Sequence, residues 1–370
     1  MDSVVDSHRP FSCAELAAGA AQAPLLDDRG RIAAPLLVVD LDTPAGDGTL
    51  SAARAADRVL VGIASAEDLD PGRRELAEAL DLTLVPPALA VTGRMFVATG
   101  DPAGTAASLR AAAEARPQAT LVLAYLLRTT GELAVTAALD AESLAYSTLL
   151  DGAEFRRWLE RRGPRPVPPT VAEPVLAHRS GAVLHLTLNR PERRNAYGRQ
   201  LRDALVDALR IAELDDTVEH VVLTGSGPSF CAGGDLDEFG TSPDLATAHF
   251  VRTRGGAGLP LHRLAARTEV RLHGSCVGAG IELPAFAGRV VTAPTATFRL
   301  PEVGMGLIPG AGGTVSIPRR IGRWRTLHAA LSGESIDAAT GLAWGLVDEI
   351  TPHSSVQVNT GYQTPNGSSL

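Results

Sequence analysis

The sequence predicts a mixed α/β protein, and three observations support this class. From about residue 175 to 350, apolar segments with strand character alternate with amphipathic helical segments. A weaker form of the same alternation occupies residues 1–170. The proline-rich segment PRPVPPTVAEPV, at 164–175, separates the two regions and is typical of an extended spacer. Strands that alternate with helices indicate an α/β fold with crossover helices.

The second half has the clearest pattern. Residues 182–188, AVLHLTL, alternate in the manner of a strand, and residues 200–215 have apolar positions at helical spacing. The apolar run at 220–227 ends in a glycine turn, as a buried strand does. Residues 269–293 are predicted as strand, glycine turn, helix and strand. Residues 325–350 are predicted as two helices separated by SGES, followed by a short strand.

The first half repeats this order weakly. PLLVVDLDTP, at 35–44, resembles the strand at 182–188 together with its following loop. DRVLVGIASAED, at 57–68, resembles the segment 220–227. ARPQATLVLAYLLR, at 115–128, is predicted as a helix end, a turn and a strand. None of these segments is followed by a glycine-rich loop.

Composition limits the possible functions. The 370 residues are 45% hydrophobic and 21% charged, which is enough for two domains or one large one. The formal net charge of -8 argues against a nucleic-acid partner. All 34 basic residues are arginine, so a Schiff-base lysine and a P-loop lysine are both excluded.

The cysteines, the histidines and the amino-terminal segment predict a cytoplasmic protein without a metal. The cysteines Cys13, Cys231 and Cys276 lack metal-type spacing and are expected to be reduced thiols. The histidines show no ligand spacing either. The segment MDSVVDSHRP has no apolar region of a signal peptide. No apolar run is long enough to span a bilayer, so no membrane partner is expected.

Three glycine-containing segments of the second half attract attention: SFCAGGDLDEF at 229–239, HGSCVGAGIELPAF at 273–286 and LPEVGMGLIPGAGGT at 300–314. Each alone is most simply a tight turn with close packing. The GAG of the second segment does not complete a dinucleotide fingerprint, because Leu283 occupies the third glycine position. The GAGGT of the third lacks the lysine and the spacing of a P-loop.

Taken together and in this order, the segments resemble the crotonase family, the enoyl-CoA hydratases and isomerases. The resemblance covers roughly residues 175–350 and includes NRPERRNA (189–196), FCAGGDLDEF, HGSCVGAGIEL, FRLPEVGMGLIPGAGGT and SGESIDAATGLAWGLVDEI. It implies the crotonase (ClpP-like) fold, a spiral of ββα units. It also implies an acyl-thioester substrate whose carbonyl becomes an enolate-like oxyanion.

The resemblance assigns roles to four residues. The backbone N–H groups of Gly234 and Ala279 match the two donors of the family's oxyanion hole. Small residues suit this role, because a backbone donor reaches a ligand only where side chains allow close approach. Glu282 and Glu302 match the pair of catalytic carboxylates. Near an apolar acyl pocket their pKa values can separate, so that one serves as base and the other as acid.

Further positions match the family's substrate-binding segments: Ala196, Ala232, Asp235, Leu236, Arg193 and Arg194. The two arginines are expected near the phosphates of coenzyme A, since guanidinium suits phosphate; solvated surface arginines are the alternative. Coenzyme A or phosphopantetheine enters as part of the substrate, and no separate cofactor is expected.

The implied reaction is hydration or dehydration of an enoyl thioester, linked to coenzyme A or to an acyl carrier protein. Isomerisation, decarboxylation or hydrolysis of an acyl thioester on the same scaffold is an alternative. A non-catalytic scaffold or binding protein is an alternative of another class. Polyketide-type biosynthesis and fatty-acid metabolism both remain open.

The segment ESLAYSTLLDGAEFRRWLERRGPRP, at 142–166, resembles the terminal helical segment of the family but precedes the catalytic region. We therefore predict an internal duplication. Residues 1–170 would be a degenerate crotonase-like domain that ends in these helices, residues 171–350 the catalytic domain, and residues 351–370 a disordered tail. A homo-oligomer is expected, although the displaced helices leave a trimer or hexamer in doubt.

Overall fold

The computed structural model describes residues 9–65, 69–87, 93–242 and 244–352, and it has the predicted mixed α/β architecture. Within these ranges the strands form three sheets, of five, three and six strands. The tail that was predicted to be disordered lies outside the described residues from position 353 onward.

The first half contains a parallel sheet whose five strands follow chain order. The strands are β1 (Phe11–Ser12), β2 (Leu36–Asp40), β3 (Val59–Ile63), β4 (Leu82–Val85) and β5 (Phe96–Ala98). The helices α1 (Cys13–Ala17), α2 (Thr49–Arg54) and α3 (Pro71–Ala79) connect the first four. The strands predicted within 35–44 and 57–68 are β2 and β3. That this half is a degenerate crotonase unit stays a prediction.

Four helices follow the first sheet: α4 (Pro102–Ala115), α5 (Pro117–Thr129), α6 (Val135–Leu150) and α7 (Ala153–Arg162). The strand predicted within 115–128 is therefore wrong, although the helix end and the turn before it are present. Pro117 occupies the first turn of α5, where its missing N–H is harmless. The apolar run of α5 is buried on most sides, and such a run shows no periodicity that separates helix from strand.

The second half begins after residues 163–174, which form no helix or strand. Its larger sheet has the strand order β14-β11-β9-β8-β7-β6 and is parallel except for the β6–β7 hairpin. These strands are β6 (Val175–Ser180), β7 (Val183–Leu188), β8 (His220–Gly225), β9 (Thr268–Leu272), β11 (Arg289–Thr292) and β14 (Glu349–Ile350). The smaller sheet contains β10 (Ser275–Val277), β12 (Thr297–Arg299) and β13 (Ile336–Asp337).

The helices of this half complete a spiral: α8 (Arg199–Leu214), α9 (Leu245–Gly255), α10 (Gly258–Arg263), α11 (Ala279–Glu282), α12 (Gly313–Ser332) and α13 (Ala338–Trp344). Strands β9 and β10 lead into α11, and β11 and β12 lead into α12, so each turn adds one strand to each sheet and then a helix. The elements predicted between 182 and 350 are confirmed, and β10 is an additional short strand within the predicted glycine turn.

Helix α12 joins the two halves. It is kinked at Gly322, whose φ of 84° is not helical. Beyond the kink, the side chains of Arg323 and Trp324 donate hydrogen bonds to the carbonyl of Leu80, 3.0 and 3.1 Å away, at the end of α3. One continuous buried core includes residues of both halves, from Leu36 to Val347. The second half therefore packs on the first along α12.

Candidate active site

The three glycine-containing segments meet at the edge of the smaller sheet. The N–H of Val277 donates to the carbonyl of Cys231 at 3.0 Å, and the N–H of Gly278 donates to the carbonyl of Arg299 at 2.8 Å. A Cβ at Gly280 would overlap with the Cys231 carbonyl, so glycine is required for this close approach. The segment that follows β10 is therefore held between the other two.

The two predicted oxyanion donors lie on adjacent segments of this arrangement. Gly234 follows Gly233, whose Cβ would come within 3.0 Å of the Val277 carbonyl oxygen. Ala279 begins α11 and is buried. Among the described residues, neither N–H has a hydrogen-bond acceptor within the protein. Both groups are thus available to a ligand, and their role in an oxyanion hole stays a prediction.

Glu282 and Glu302 are brought together on the two sides of Gly278. Glu282 ends α11, and Glu302 begins a short 3₁₀ turn after β12. Their side chains are 2% and 8% exposed. A Cβ built on Gly278 would lie 2.5 Å from Oε1 of Glu302 and 3.5 Å from Oε1 of Glu282. Both carboxylates therefore border the position next to Ala279.

The two carboxylates differ in their partners. Oε2 of Glu282 accepts hydrogen bonds from the N–H groups of Ala311 and Gly313, at 2.7 and 2.9 Å. Oε2 of Glu302 is buried and has no hydrogen-bond partner among the described residues. Burial raises the pKa of both carboxyls, and the negative charge of Glu302 raises the pKa of Glu282 further. The pair is therefore able to hold a proton on one member near neutral pH.

The glycines that follow Glu302 make room for α6 and α7. A Cβ at Gly306, where φ is 81°, would lie 2.7 Å from the backbone nitrogen of Phe155 on α7. A Cβ at Gly310 would overlap with the ring of Tyr146 on α6. The loop around Glu302 is therefore shaped by helices of the segment 142–166.

Glu142, on α6, is a site residue that sequence reasoning missed. Its Oε1 accepts a hydrogen bond from the N–H of Gly312 at 2.7 Å. Its Oε2 accepts from the N–H and the hydroxyl of Thr314, at 2.9 and 2.7 Å. Burial raises the pKa of the Glu142 carboxyl, and these hydrogen bonds lower it in part. Its segment, 142–166, was recognised in the sequence, but no local pattern distinguishes Glu142 from the other glutamates of that segment.

A cavity of about 50 Å³ lies beside the glycine loop and against α6 and α10. The residues that line it include Leu139, Glu142, Tyr197, Arg252, Leu283 and Ala311. Because Ala311 also donates to Glu282, the cavity is separated from the carboxylate pair by one segment of backbone.

Two of the predicted substrate-binding residues are held in ion pairs. Asp235 is buried and accepts a hydrogen bond from Arg193 at 2.6 Å, while Arg193 also donates to Asp237 at 2.8 Å. These carboxylates raise the pKa of the Arg193 guanidinium and balance its charge. Arg194 is exposed, and among the described residues its side chain has no ion-pair partner. Arg194 is therefore the more accessible of the two guanidinium groups.

The remaining predicted contacts lie on the loops around these ion pairs. The N–H of Ala196 donates to the carbonyl of Arg193, and the N–H of Ala232 donates to the carbonyl of Arg194. Leu236 is half-buried and begins a 3₁₀ turn. Their contact with substrate stays a prediction.

Asn195 ties these loops together, and sequence reasoning treated it only as part of a motif. Its Oδ1 accepts from the N–H of Arg190 at 2.8 Å. Its Nδ2 donates to the carbonyls of Ser226 and Phe230, at 2.8 and 3.0 Å. The fully buried amide thus fixes the NRPERRNA loop against the segment that carries Gly234.

Across the described ranges, no group of three or more histidine, cysteine, aspartate or glutamate side chains is arranged to hold a metal ion. No helix in this part of the chain is long and apolar enough to cross a membrane.

Known proteins match the region that contains this site. A family model described as Enoyl-CoA hydratase/isomerase matches residues 178–361, and thus continues past Ile350, where the resemblance was predicted to end. The 1,2-epoxyphenylacetyl-CoA isomerase of Escherichia coli K12 is 35% identical over 185 residues, covering 48% of this chain and 69% of that protein. The 2,3-dehydroadipyl-CoA hydratase of the same organism is 37% identical, with the same coverage. A solved carnitinyl-CoA dehydratase structure from Mycobacterium avium 104 is 36% identical, covers 50% of this chain and 72% of that chain, and has a TM-score of 0.45.

Proposed function

Because the chain belongs to the enoyl-CoA hydratase/isomerase family, we propose that it adds water to an enoyl thioester and catalyses the reverse dehydration. It is an enzyme of the hydratase/isomerase type. The observation that carries the proposal is the pair of buried carboxylates, Glu282 and Glu302, on the two sides of Gly278.

In the proposed reaction, the ionised member of the pair takes a proton from water, and the water oxygen bonds to the β-carbon of the enoyl group. The electron pair of the double bond moves toward the thioester carbonyl, whose oxygen becomes an enolate. The protonated member then gives its proton to the α-carbon. Raised pKa values suit this sequence, because one glutamate must be neutral while the other is charged.

The N–H groups of Gly234 and Ala279 are proposed to bind the enolate oxygen. Both lack an acceptor among the described residues. Ala279 follows Gly278, which the two carboxylates flank, and Gly234 follows Gly233, which approaches the Val277 carbonyl on the same segment. Removal of one such donor typically costs about 3 kcal/mol of transition-state stabilisation. The positive end of α11, which Ala279 begins, adds to the attraction for the oxyanion.

We propose coenzyme A as the carrier, since the similar proteins from Escherichia coli are named for CoA thioesters. A carrier-protein thioester would present the same phosphopantetheine arm. The exposed Arg194 is the proposed phosphate contact, and the cavity beside Ala311 is proposed to receive the distal end of the acyl group. We also propose a cytoplasmic location, a homo-oligomer and no further cofactor.

The contacts of α6 and α7 support a related proposal about domain organisation. Glu142 binds the start of α12, and Tyr146 and Phe155 pack on the glycine loop. We propose that residues 142–166 take the place of the family's terminal helices and that residues 1–170 are a degenerate crotonase-like unit.

Double-bond isomerisation is the second candidate function. The buried Oε2 of Glu302 has no partner among the described residues, so this single carboxylate has the freedom to move a proton between two carbons of the acyl chain. One similar protein carries an isomerase name.

The test compares hydration of crotonyl-CoA with isomerisation of a 3-enoyl-CoA in the full chain, following the enoyl-thioester absorbance. A hydratase should lose about 10²- to 10⁴-fold of its hydration rate in Glu282→Gln and in Glu302→Gln. The double variant should be little worse than the poorer single one, because the two groups act as a unit. An isomerase should keep most of its isomerisation rate in one of the two variants. If neither substitution changes either rate by more than a few-fold, the proposed mechanism is wrong.

A further inference from the structure

Four successive backbone N–H groups at the start of α12 are shared between two glutamates. Ala311 and Gly313 donate to Glu282, and Gly312 and Thr314 donate to Glu142. The four distances lie between 2.7 and 2.9 Å. The N–H groups at a helix start have no partner within the helix and carry a partial positive charge. Alternate N–H groups of the same helix start therefore bind the two carboxylates.

We propose that Glu142 is a positioning residue for the acid–base pair: it holds the start of α12 in the arrangement that fixes Glu282, and when ionised it places a third negative charge beside the pair. The inference rests on the proposed function of Glu282 and Glu302. It means that the first half of the chain contributes directly to the geometry of the catalytic site.

The surroundings of Glu142 support this role. Its side chain is 2% exposed, and among the described residues it has no ion pair. Arg252, whose charge acts on Glu142, donates instead to the hydroxyl and the carbonyl of Ser143, at 3.0 and 3.2 Å. The charge of Glu142 is therefore offset mainly by the hydrogen bonds from Gly312 and Thr314, and burial of an ionised carboxylate is costly. The three buried glutamates are therefore expected to influence each other's protonation strongly.

The charges that face the three glutamates determine the direction in which the pKa of Glu282 should change. The negative charge of Glu142 raises the pKa of Glu282. Arg252 and Tyr146 face Glu142, Arg299 faces Glu302, and Cys231 faces Glu282. A neutral side chain at position 142 leaves these groups in place and removes one repulsive charge. The pKa of Glu282 should therefore fall.

The chain offers a matched control in Glu154. This residue is also 2% exposed, and it lies on the next helix, α7. It accepts hydrogen bonds from the N–H groups of Gln118 and Ala119 at the start of α5, at 2.8 and 3.2 Å. Glu154 therefore binds a helix start as Glu142 does, but at a helix that does not bind Glu282.

The experiment compares Glu142→Gln and Glu154→Gln in the full chain, with kcat, KM and the pH profile measured on crotonyl-CoA. Glu142→Gln should lower kcat about ten- to a hundredfold through misplacement of Glu282, with KM within several-fold. Its pH profile should move by about one unit toward acid. Glu154→Gln should lower the melting temperature and leave the pH profile unchanged. Equal shifts in both variants, or none in a folded Glu142→Gln protein, would overturn the proposal.

Two further measurements keep the test decisive. Should Glu142→Gln not fold, Thr314→Val removes only the hydroxyl donor to Glu142. It should shift the profile in the same direction by less, and an unchanged profile refutes the inference. Should the wild-type chain not hydrate crotonyl-CoA, the proposed function fails on that substrate. In that case a ¹³C titration of the Glu282 carboxyl, with its signal assigned by its loss in Glu282→Gln, still tests the inference. A lower pKa of Glu282 in the Glu142 variant supports the inference, and an unchanged pKa refutes it.

Discussion

Replacing Glu302 with glutamine should lower activity and raise stability at the same time. The buried Oε2 of Glu302 has no partner among the described residues, so the amide loses no hydrogen bond there. The ionisable group is lost, however, and general acid–base groups typically contribute about 10²- to 10⁴-fold in rate. We therefore expect hydration to slow by that factor while the fold remains intact.

The stability effect follows from the raised pKa of Glu302, which burial causes. Between the pKa of the unfolded chain, about 4.3, and the higher pKa of the folded protein, the folded state keeps a proton that the unfolded state releases. The free energy of unfolding of the wild type then falls by about 1.4 kcal/mol per pH unit for this group. The stabilising contribution is fully present at low pH and is lost as the pH rises through the folded pKa. Glutamine does not titrate, so the variant lacks this pH dependence. Over two pH units its free energy of unfolding should rise by ~3 kcal/mol relative to that of the wild type.

Urea unfolding at three pH values between pH 5 and 7, followed by circular dichroism, measures the difference in slope. The hydration assay on the same samples measures the loss of activity. The exposed Glu334 provides a control for the assay, because Glu334→Gln should leave the hydration rate unchanged. A Glu302→Gln protein with the slope of the wild type would show that Glu302 is not protonated in the folded state. A rate close to that of the wild type would show that it transfers no proton in the reaction.

Two further outcomes test the proposed oxyanion site and the packing of the glycine loop. Ala279→Gly should leave kcat/KM within several-fold, whereas Ala279→Val should obstruct the thioester carbonyl; if valine proves harmless, Ala279 does not line the oxyanion site. Gly306→Ala should destabilise the protein by about 1–3 kcal/mol in thermal melts, since its Cβ would meet α7 at a positive φ. Gly304→Ala is the control, because its Cβ would meet nothing within 4 Å, and it should melt like the wild type. Equal melting temperatures for both alanine variants would contradict the packing of Gly306 against α7.

Much of the second half could be predicted from local sequence. The strand at 182–188 and the helix at 200–215 have periodicities that match their final burial, so pattern and structure agree. The glycine segments were informative because glycine is needed where two backbones approach closely, as at Gly280 and Cys231. The three glycine segments therefore indicate a site when they are considered together, although each one alone is ambiguous.

The features that could not be predicted depend on contacts between residues that are distant in sequence. Helix α5 was mistaken for a strand, because a run of apolar residues buried on most sides carries no period. The contribution of Glu142 could not be found from local patterns, since a glutamate within a helical segment usually faces solvent. Only the arrangement of α6 against the start of α12 shows its role. The ion pairs of Arg193 were missed for the same reason, since Asp235 lies in a different motif.

The contact between Glu142 and Thr314 spans 172 positions of the chain, and this has a consequence for folding kinetics. The entropy of closing so long a loop grows only slowly with its length, but contacts of large sequence separation slow the search for the native topology. The glycine loop can take its final shape only after α6 has docked, so the catalytic geometry should form late in refolding. During synthesis, by contrast, α6 emerges before the loop that it fixes, and domains generally fold from the N-terminal side first. Vectorial synthesis therefore favours an order in which the first half folds before Glu282 and Glu302 are brought together.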